Sequence, residues 1–506
     1  MKFNVPNTPE RQMQVHPDAT ENYEGGLAFK TDPRTDLYMR AATCLVGEPK
    51  FYETAEFADQ ELIRATHTVL QTDPEFVLQL AVYLREQMHL RSVPLVLSAE
   101  NANISPGTVL GARRYISRCI ARADELTEIL TYQFTRNLVS PRDTKLPMAI
   151  KEGVAHAFQK FDAYHFSKYN SDRVVKLRDA LFLTHPTPRD AAQQETFDRI
   201  ADGTLESPMT WEVMRSTGQM TWHDVIHEVF HKDGRVNNYM AILRNLRNMM
   251  NADDVTNKDI TLVCTMLSDH DAVLNSKQLP FRFLSAYRVV EKIDYQMPNA
   301  VLDALETAAS VSVRNIPKLS GTTLIACDVS GSMMWAPISK NSSIYPYDIG
   351  ILLGSMAHQF CENSITGIFG DMWKQIPMAK QSGVLSNVAA MRRYSNQVGW
   401  ATHGHHVINY LIDNDIEVDR IMIFTDLQMW DTRHDYYFAS VFVKYQRMHP
   451  DVRLYLFDLS GYGTLITPPG TKNVCLIAGW SDRIFDFVDA YENGGSAIDE
   501  IRKIGV

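Results

Sequence analysis

The sequence has no apolar run that approaches the roughly 18 residues needed to cross a membrane, so we expect no membrane-spanning helix. Its first residues, MKFNVPNTPERQ, lack the apolar stretch of a secretory signal, and export is therefore not expected. The six cysteines are widely spaced and no CxxC pair occurs. They are typical of reduced, mostly buried thiols, which favours a cytoplasmic protein.

Positive charge is also scarce. The net charge is −10, with 50 Lys and Arg against 60 Asp and Glu, which argues against a domain that is basic throughout. A nucleic-acid-binding surface must therefore be a local patch. One window qualifies, because Asn101–Ala180 contains 13 basic residues against 8 acidic ones.

The apolar pattern divides the 506 residues into two parts. From about Glu53 to Ser310, apolar residues recur every three or four positions, which predicts either a helical-repeat solenoid or a large helical domain. After Ser320, short β-branched runs such as IMIFTDL alternate with helical stretches. This alternation predicts a parallel sheet with helices on both faces. We place the boundary between residues 318 and 319.

A candidate metal site follows the first predicted strand. The run TLIACDVSGSM places Asp328, Ser330 and Ser332 after an apolar stretch, and this DxSxS spacing is the first half of a metal-ion-dependent adhesion site. Mg²⁺ prefers about six hard oxygen ligands. A site with two hydroxyls and few carboxylates leaves the ion seeking an acidic ligand from outside. Asp426, at the end of the strand IMIFTD, and Thr402, in GWATHGHH, are the expected further ligands.

Other interpretations of these segments remain open. DxSxS can be a turn in which Asp328 only caps a helix. The segment around Thr402 departs from the usual form of such sites, which has glycines before the threonine and an aspartate after it. His403, His405 and His406 could indicate a zinc site, although histidines without a second ligand cluster are more often solvated loop residues.

Several blocks of the helical part resemble the TROVE (Ro autoantigen) family, and they occur in the family's order. They are NYEGGLAFK, DLYMRAATCLVGEPKFYE, LPMAIKEGVAHAF, FSKYNSDRVVKLRDALFLTHPTP, TWEVM, MAILRNLRNM and LPFRFLSAY. With the C-terminal metal motif, the resemblance spans nearly the whole chain. It implies a closed ring of HEAT-like helical repeats over residues 1–318. A doubly wound α/β von Willebrand A domain with a Mg²⁺ site is implied over residues 319–506.

The resemblance also implies a function. Family members bind single-stranded 3′ ends of misfolded RNAs in the central hole of the ring and small structured Y RNAs on its outer basic face, in noncoding-RNA quality control. In some bacteria the Y RNA tethers an exoribonuclease. We therefore expect a cytoplasmic, monomeric RNA-binding protein. Its expected partners are Y-like RNA, misfolded RNA 3′ ends, an exoribonuclease through RNA, and an acidic protein ligand at the metal site.

The family pattern carries RNA contact onto Lys168 and His185, because the stretch between them matches without a gap. Sequence-tolerant RNA binding needs cations that bind phosphates and rings that stack on bases, and the arginines interleaved with Tyr115 extend the basic surface. The further candidates are Arg113, Arg114, Arg118, Arg173 and Lys176. His185 can instead merely cap its helix before Pro186. The arginines within Arg244–Asn248 are expected to be structural, with one of them bridging helices.

Two other functions are weighed against RNA binding. A helical solenoid with an A domain can be a protein-interaction adaptor whose metal accepts a Glu or Asp of an acidic partner. A metal-dependent hydrolase is the second alternative. The sequence has no second metal-ligand cluster, nucleophile elbow or phosphate-cradling glycine loop, so we do not expect an enzyme.

Overall fold

The computed structural model of the chain describes residues 16–137, 145–170, 172–206, 208–278, 280–293, 297–312, 318–340, 342–430, 437–481 and 483–505. Two expectations rest partly on other residues. Residues 1–12, in which no secretory signal is expected, lie outside the described residues, and so do residues 313–317, which adjoin the expected boundary at 318/319. Within the described residues, no helix is both long and apolar enough to cross a membrane.

Helices dominate residues 33–312, as the apolar spacing predicts. Some begin at an aspartate cap followed by proline: Asp32 and Asp73 accept first-turn backbone N–H groups of helices that start at Pro33 and Pro74. The helices are α1 (Pro33–Thr43), α2 (Ala55–Leu70), α3 (Pro74–Glu86), α4 (Ser92–Ile104), α5 (Ala112–Cys119), α6 (Glu125–Asn137), α7 (Met148–Phe158), α8 (Ala163–Tyr169), α9 (Leu177–Thr184), α10 (Ala191–Asp202), α11 (Trp211–Ser216), α12 (Trp222–Asp224), α13 (Tyr239–Met250), α14 (Asn257–Leu267), α15 (His270–Ser276), α16 (Pro280–Val290) and α17 (Pro298–Ser312). Also present are β1 (Ala19–Glu21), β2 (Leu27–Lys30), a π-helix (Val225–Phe230), β3 (His231–Lys232) and β4 (Arg235–Val236).

The C-terminal part alternates strands and helices. Its strands are β5 (Leu319–Asp328), β6 (Cys361–Phe369), β7 (Trp373–Gln375), β8 (Arg420–Thr425), β9 (Arg453–Asp458), β10 (Thr464–Leu465) and β11 (Val474–Ala478). Its helices are α18 (Gly331–Trp335), α19 (Pro346–Phe360), α20 (Val384–Arg392), α21 (His405–Asp413), α22 (Phe438–Met448), α23 (Ile484–Glu492) and α24 (Ala497–Arg502), with 3₁₀ turns at Lys380–Ser382 and Ser395–Gln397.

Six of these strands form one mixed sheet in the order β11-β9-β8-β5-β6-β7. All neighbours are parallel except β7, which runs antiparallel to β6 because only a short turn joins the two strands. The expectation of an all-parallel sheet is therefore corrected at this edge. The strand order reverses between β5 and β8, and open α/β sheets bind ligands at the carboxyl ends of the strands beside such a reversal.

The N-terminal segment packs on the C-terminal part. Strand β2 pairs with both β1 and β10, so one small sheet contains strands from the two ends of the chain. The Tyr38 hydroxyl donates to the Ala478 carbonyl at 3.1 Å and accepts the Ala478 N–H at 3.0 Å, at the end of β11. Residues 19–43 are thus fixed to the sheet that the last third of the chain forms.

The other end of the helical part reaches the same domain. Arg288 of α16 donates to Asp348 of α19 at 2.7 Å, and this ion pair is buried. Glu306 of α17 accepts two backbone N–H groups at the start of α20, at 2.8 and 2.7 Å. Early and late helices therefore both rest on the sheet domain. Removing one partner of a buried ion pair such as Arg288–Asp348 typically costs about 3–5 kcal/mol.

Candidate functional site

The DxSxS loop lies at the carboxyl end of β5. Asp328 ends the strand, and its Oδ1 accepts the Ser330 backbone N–H at 2.8 Å while Oδ2 accepts the Thr425 hydroxyl at 2.6 Å. The Ser330 and Ser332 Oγ atoms are 3.3 Å apart, and all of these side chains are buried. Ser330, and not Asp328, is the cap residue of α18. The interpretation of Asp328 as a helix cap is therefore wrong.

Two further aspartates close this group, which we call the metal crevice (Asp328, Ser330, Ser332, Asp426 and Asp458). Asp426 follows β8 and bonds the Ser332 side chain, and Asp458 ends β9. Within the described part of the chain, one carboxylate oxygen of Asp426 and one of Asp458 are buried without a hydrogen-bond partner.

Burial raises the pKa of Asp328 and of Asp426, and for Asp426 the nearby Asp328 charge adds to the effect. Burial also raises the pKa of Asp458 to about 6. The crevice thus concentrates hard oxygen atoms of carboxyl groups whose ionisation is opposed by burial, although Lys50 and Arg40 lower the pKa of Asp458 in part. A divalent cation that prefers oxygen ligands fits this donor set.

Thr402 lies in a loop beside the crevice. The Gly331 N–H donates to the Trp400 carbonyl at 2.8 Å, and the Trp430 N–H donates to the Thr402 carbonyl at 3.0 Å. Asp371, which sequence reasoning missed, accepts the two backbone N–H groups that precede Thr402, at 2.9 and 2.6 Å. Asp371 therefore fixes the loop that the glycines of the usual motif would form.

The three histidines after Thr402 are not a solvated loop. His405 begins α21 and is buried, and the His403 ring stacks on Trp430 with centroids 5.8 Å apart. Among the described residues, the group of three ligand side chains with atoms within 4.8 Å of one another is a different one, on α12, the π-helix and α14. The zinc interpretation of His403, His405 and His406 thus gains no support.

The N-terminal Gly-Gly segment docks on the loop that follows β8. The Asn22 side chain donates to the Met429 carbonyl at 2.7 Å, and the Tyr23 N–H donates to the Gln428 side chain at 2.9 Å. Gly26 is so close that a Cβ there would lie 2.1 Å from the Met429 carbonyl oxygen. Glycine is required at this position because no larger residue allows the approach.

Three aromatic rings lie beside the crevice and form what we call the tyrosine cluster (Tyr23, Tyr52 and Tyr462). Tyr52 stacks on Tyr23 with centroids 5.2 Å apart and meets Tyr462 edge-on at 5.4 Å. The Tyr52 hydroxyl donates to Glu24 and also bonds Ser332 of the crevice. Burial, and then the bond to Glu24, raise the pKa of Tyr52. The tyrosine cluster therefore contacts the crevice through the bond between Tyr52 and Ser332.

Most of the predicted RNA-binding side chains are exposed but already paired with acid. Arg118 binds Glu86 at 2.8 Å and the Gly505 carbonyl, and Arg113 lies 3.7 Å from Glu152. Tyr115, expected to offer a ring for stacking, is buried, because α5 turns this side of its helix into the core. The interleaving of Tyr115 with arginines is thus a packing pattern and not a stacking surface.

The predicted RNA-binding residues Arg173 and Lys176 also lie beside acidic side chains. Arg173 lies 3.7 Å from Glu128 and Lys176 lies 2.6 Å from Asp172. We call Arg113, Arg118, Arg173 and Lys176 the outer basic stripe.

The remaining candidates stay open to solvent. Arg114, Lys168 and His185 are exposed and form no ion pair with any residue that the structure describes. His185 does end its helix, as the alternative interpretation holds: it is the C-cap of α9 with a φ of 50°. Helix α9 packs mainly on α6, α7 and α10.

A cavity that sequence reasoning missed lies between the helical part and the sheet domain. It has a volume of about 580 Å³ and is lined by the α3–α4 turn, by α13, by α16 and by loops of the sheet domain. Arg244 and Arg282 stand in its wall, and with Arg247 they also line the adjoining cleft. We call these three residues the cavity arginines. They are exposed and form no ion pair within the described residues, which corrects the expectation that an arginine of Arg244–Asn248 bridges helices.

The cavity arginines supply positive charge on one side of the cavity, whose lining also contains Glu48. Partial desolvation by the surrounding protein and then the neighbouring Arg244 lower the pKa of Arg282, although its side chain still reaches solvent. His89, also in the wall, has its pKa lowered to about 4 by burial and then by Lys277 and Arg483. Cations grouped without acidic partners favour an anionic ligand.

Comparisons with known proteins agree with this organisation. The TROVE domain model matches residues 39–204 and 203–325. Telomerase protein component 1 of Mus musculus is 21% identical over 366 residues, which are 56% of this chain and 13% of that protein. The RNA-binding protein RO60 of Deinococcus radiodurans is 22% identical over 319 residues, which are 55% of this chain and 60% of that protein. The chain thus spans less than two thirds of the length of these relatives.

A solved structure matches over nearly the whole chain. The crystal structure of the Deinococcus radiodurans RO (RSR) protein has a TM-score of 0.58 and 17% sequence identity, and the match covers 89% of this chain and 98% of that chain. The two proteins share a fold in which a helix-rich part is followed by a C-terminal mixed sheet. The coarse fold expected from the sequence is therefore confirmed.

Proposed function

The chain belongs to the TROVE-domain family, and from this premise we propose that it is an RNA-binding protein of the Ro type. The observation that carries the proposal is the cavity with its arginines. Phosphates bind arginine through paired N–H groups, and the three cavity arginines have no acidic partner to give up within the described residues. We assign single-stranded 3′ ends of misfolded RNA to this cavity.

We further propose that the helical part is a closed ring of HEAT-like repeats and that the sheet domain is a von Willebrand A domain. The contacts of Tyr38 at one end, and of Arg288 and Glu306 at the other, support closure, because both ends of the helical part rest on one domain. We propose that the cavity is part of the hole of this ring. Its lining residues come from α3–α4, α13 and α16, which are far apart in the chain.

A structured Y-like RNA is proposed to bind the outer surface. Arg114, Lys168 and His185 are the predicted contacts that remain exposed and unpaired in the described structure. The outer basic stripe contributes less, because each phosphate contact there must displace an existing acidic partner. The proposed context is noncoding-RNA quality control in the cytoplasm, with an exoribonuclease reached through the RNA.

The metal crevice is proposed to bind Mg²⁺ through Asp328, Ser330, Ser332, Thr402 and Asp426. The partnerless Asp426 oxygen and the buried, unbalanced carboxylates support this assignment. Bound Mg²⁺ would supply an open position for an acidic ligand, so the crevice also favours a second function, that of a protein-interaction adaptor. A hydroxyl-rich site suits binding and not the activation of water, and we propose no enzymatic activity.

A competition assay tests the RNA-binding proposal. A labelled hairpin RNA with an unpaired 3′ tail competes with the same hairpin ending blunt and with one that carries the tail at its 5′ end, at one salt concentration. We expect the 3′-tailed RNA to bind at least about tenfold more tightly than the blunt one, because unpaired bases can stack and thread. Equal affinity for tailed and blunt RNA would overturn the proposal. Equal affinity for both tails would overturn its assignment to 3′ ends.

A further inference from the structure

A group of three ligand side chains lies outside both sites described above, which corrects the expectation that the sequence has no second metal-ligand cluster. His223 of α12 and His227 of the π-helix face Asp259 of α14, with His223 Nδ1 and His227 Nε2 lying 3.1 and 2.7 Å from the same Asp259 oxygen, Oδ1. The two imidazole rings are 4.5 Å apart. All three ligand atoms lie within 4.8 Å of one another. From this geometry we propose a zinc-type metal site that joins the π-helix segment to α14.

The carboxylate is held for this role. Asp259 is 3% exposed, and its second oxygen, Oδ2, accepts the Thr256 N–H at 2.7 Å and the Thr256 hydroxyl at 2.8 Å. Oδ1 is thereby turned toward the two histidines. Partners of this kind orient a metal-binding carboxylate and typically raise metal affinity about 10–100-fold.

The backbone of the His223–His227 segment also places the two rings together. His223 and His227 are four residues apart, and His227 stands in a π-helix, which brings both rings to one side of the segment. π-Helical turns are rare and occur often at functional sites. The two histidine side chains are 51% and 43% exposed, so water can supply a fourth ligand and a metal ion can enter without any opening of the fold.

The donor set selects the ion. Two imidazole nitrogens and one carboxylate oxygen suit Zn²⁺, whose bonds of about 2.0–2.2 Å in a tetrahedron place ligand atoms about 3.3–3.5 Å apart. From their distances of 3.1 and 2.7 Å, His223 Nδ1 needs to move away from Asp259 Oδ1 by about 0.2–0.4 Å and His227 Nε2 by about 0.6–0.8 Å, which rotation of these half-exposed imidazoles allows. Mg²⁺ prefers oxygen ligands throughout, so this site and the metal crevice take different ions.

Metal titration of the full chain tests the proposal. Zn²⁺ is added in competition with a chromogenic chelator, with excess Mg²⁺ present to saturate the crevice, and Co²⁺ serves as a spectroscopic probe of tetrahedral geometry. We expect one Zn²⁺ to bind with a micromolar or lower Kd. His223→Gln and His227→Gln should each weaken it at least tenfold, and Thr256→Val should weaken it severalfold.

His165→Gln is the matched control. His165 is also exposed and lies 2.7 Å from a carboxylate, that of Asp162, but has no second histidine. It should leave Zn²⁺ affinity unchanged. Zn²⁺ should also raise the thermal midpoint of the parent and of the control, but not of the His223 and His227 variants. No binding in the micromolar range, or equal binding by the parent and the two variants, overturns the proposal.

Discussion

In the metal crevice, carboxylates lie buried with oxygen atoms that accept no hydrogen bond among the described residues, whereas in the outer basic stripe charged side chains lie at the surface beside acidic partners. Asp426 exemplifies the first arrangement and Lys176, which is bound to Asp172, the second. The fold has left charge unbalanced in one place and balanced it in the other. A count of basic residues along the sequence can detect the outer basic stripe but not the metal crevice.

The difference has an energetic meaning. An exposed ion pair contributes about 0–1 kcal/mol, but a phosphate that replaces its acidic partner gains little, because one favourable contact is exchanged for another. A buried carboxylate without a partner destabilises the protein until a cation arrives. The cavity arginines combine exposure with the absence of an ion pair in the described structure, and they are therefore better phosphate ligands than the stripe.

The largest expected effect distinguishes Mg²⁺ binding by the crevice from RNA binding. Asp328→Ala should abolish Mg²⁺ binding, because Asp328 is the buried carboxylate at the centre of the crevice. RNA affinity should change by less than about tenfold, which is about 1.4 kcal/mol, because the cavity arginines lie elsewhere. Calorimetry with Mg²⁺ and filter binding with RNA measure the two quantities. A larger loss of RNA affinity would show that the crevice and the RNA site are one unit.

The next effect compares the cavity with the stripe. Arg244→Gln combined with Arg282→Gln should weaken the binding of a 3′-tailed RNA at least tenfold. It should also lower the slope of log affinity against log salt by up to about 1.4, since each phosphate contact with a single strand contributes about 0.7. Arg113→Gln combined with Lys176→Gln removes the same charge from paired positions and should change affinity two- to threefold. If the stripe variant loses more affinity than the cavity variant, the comparison between the two regions is wrong.

A smaller effect concerns the unbalanced charge of the crevice itself. The pKa of Asp426 is raised in the folded protein, so its stability contribution is present below the ordinary pKa of Asp near 4 and is lost as pH rises through the raised value. In the absence of metal, Asp426→Asn should therefore melt higher than the parent at pH 8, and the difference should disappear near pH 4. Mg²⁺ should raise the melting temperature of the parent alone. A variant that melts lower than the metal-free parent at pH 8 would mean that the charge is already balanced.

That Asp328 and Asp426 lie close together could be predicted from the sequence, because the pattern that places each of them is local. Asp328 and Asp426 each follow an apolar strand, and the carboxyl ends of parallel strands meet at one edge of a sheet. Asp458 follows the same rule and could have been found in the same way. The Gly-Gly segment was visible as a motif, but its contact with the Met429 carbonyl joins residues about 400 positions apart, and no periodicity encodes that distance.

Which arginines are free to bind could not be read from the sequence for the same reason. Arg118 is paired with Glu86 on another helix, 32 positions away, while Arg244 faces the cavity with no such partner in the described residues. Both arginines lie on amphipathic helices in which apolar residues recur every three or four positions, so the sequence pattern does not distinguish them. Only the packing of helices separates a neutralised arginine from an available one.

The smallest expected effect belongs to the two family-derived contacts. Lys168→Ala combined with His185→Gly should weaken structured-RNA binding several-fold, and the Lys168 change should lower the salt slope by up to about 0.9 for one phosphate contact with a duplex. Glycine is chosen at 185 because the φ of 50° lies in the left-handed region, so the end of α9 is preserved while the imidazole is removed. His185→Gly alone should leave the slope unchanged, since we expect the imidazole to contribute through hydrogen bonding or stacking. Arg199→Gln, at an exposed arginine paired with Glu195, is the control and should have no effect.

A double variant that melts like the parent and binds structured RNA with the same affinity and slope would remove Lys168 and His185 from the interface. Arg114 would then be the remaining predicted contact on the outer face that is exposed and unpaired in the described structure.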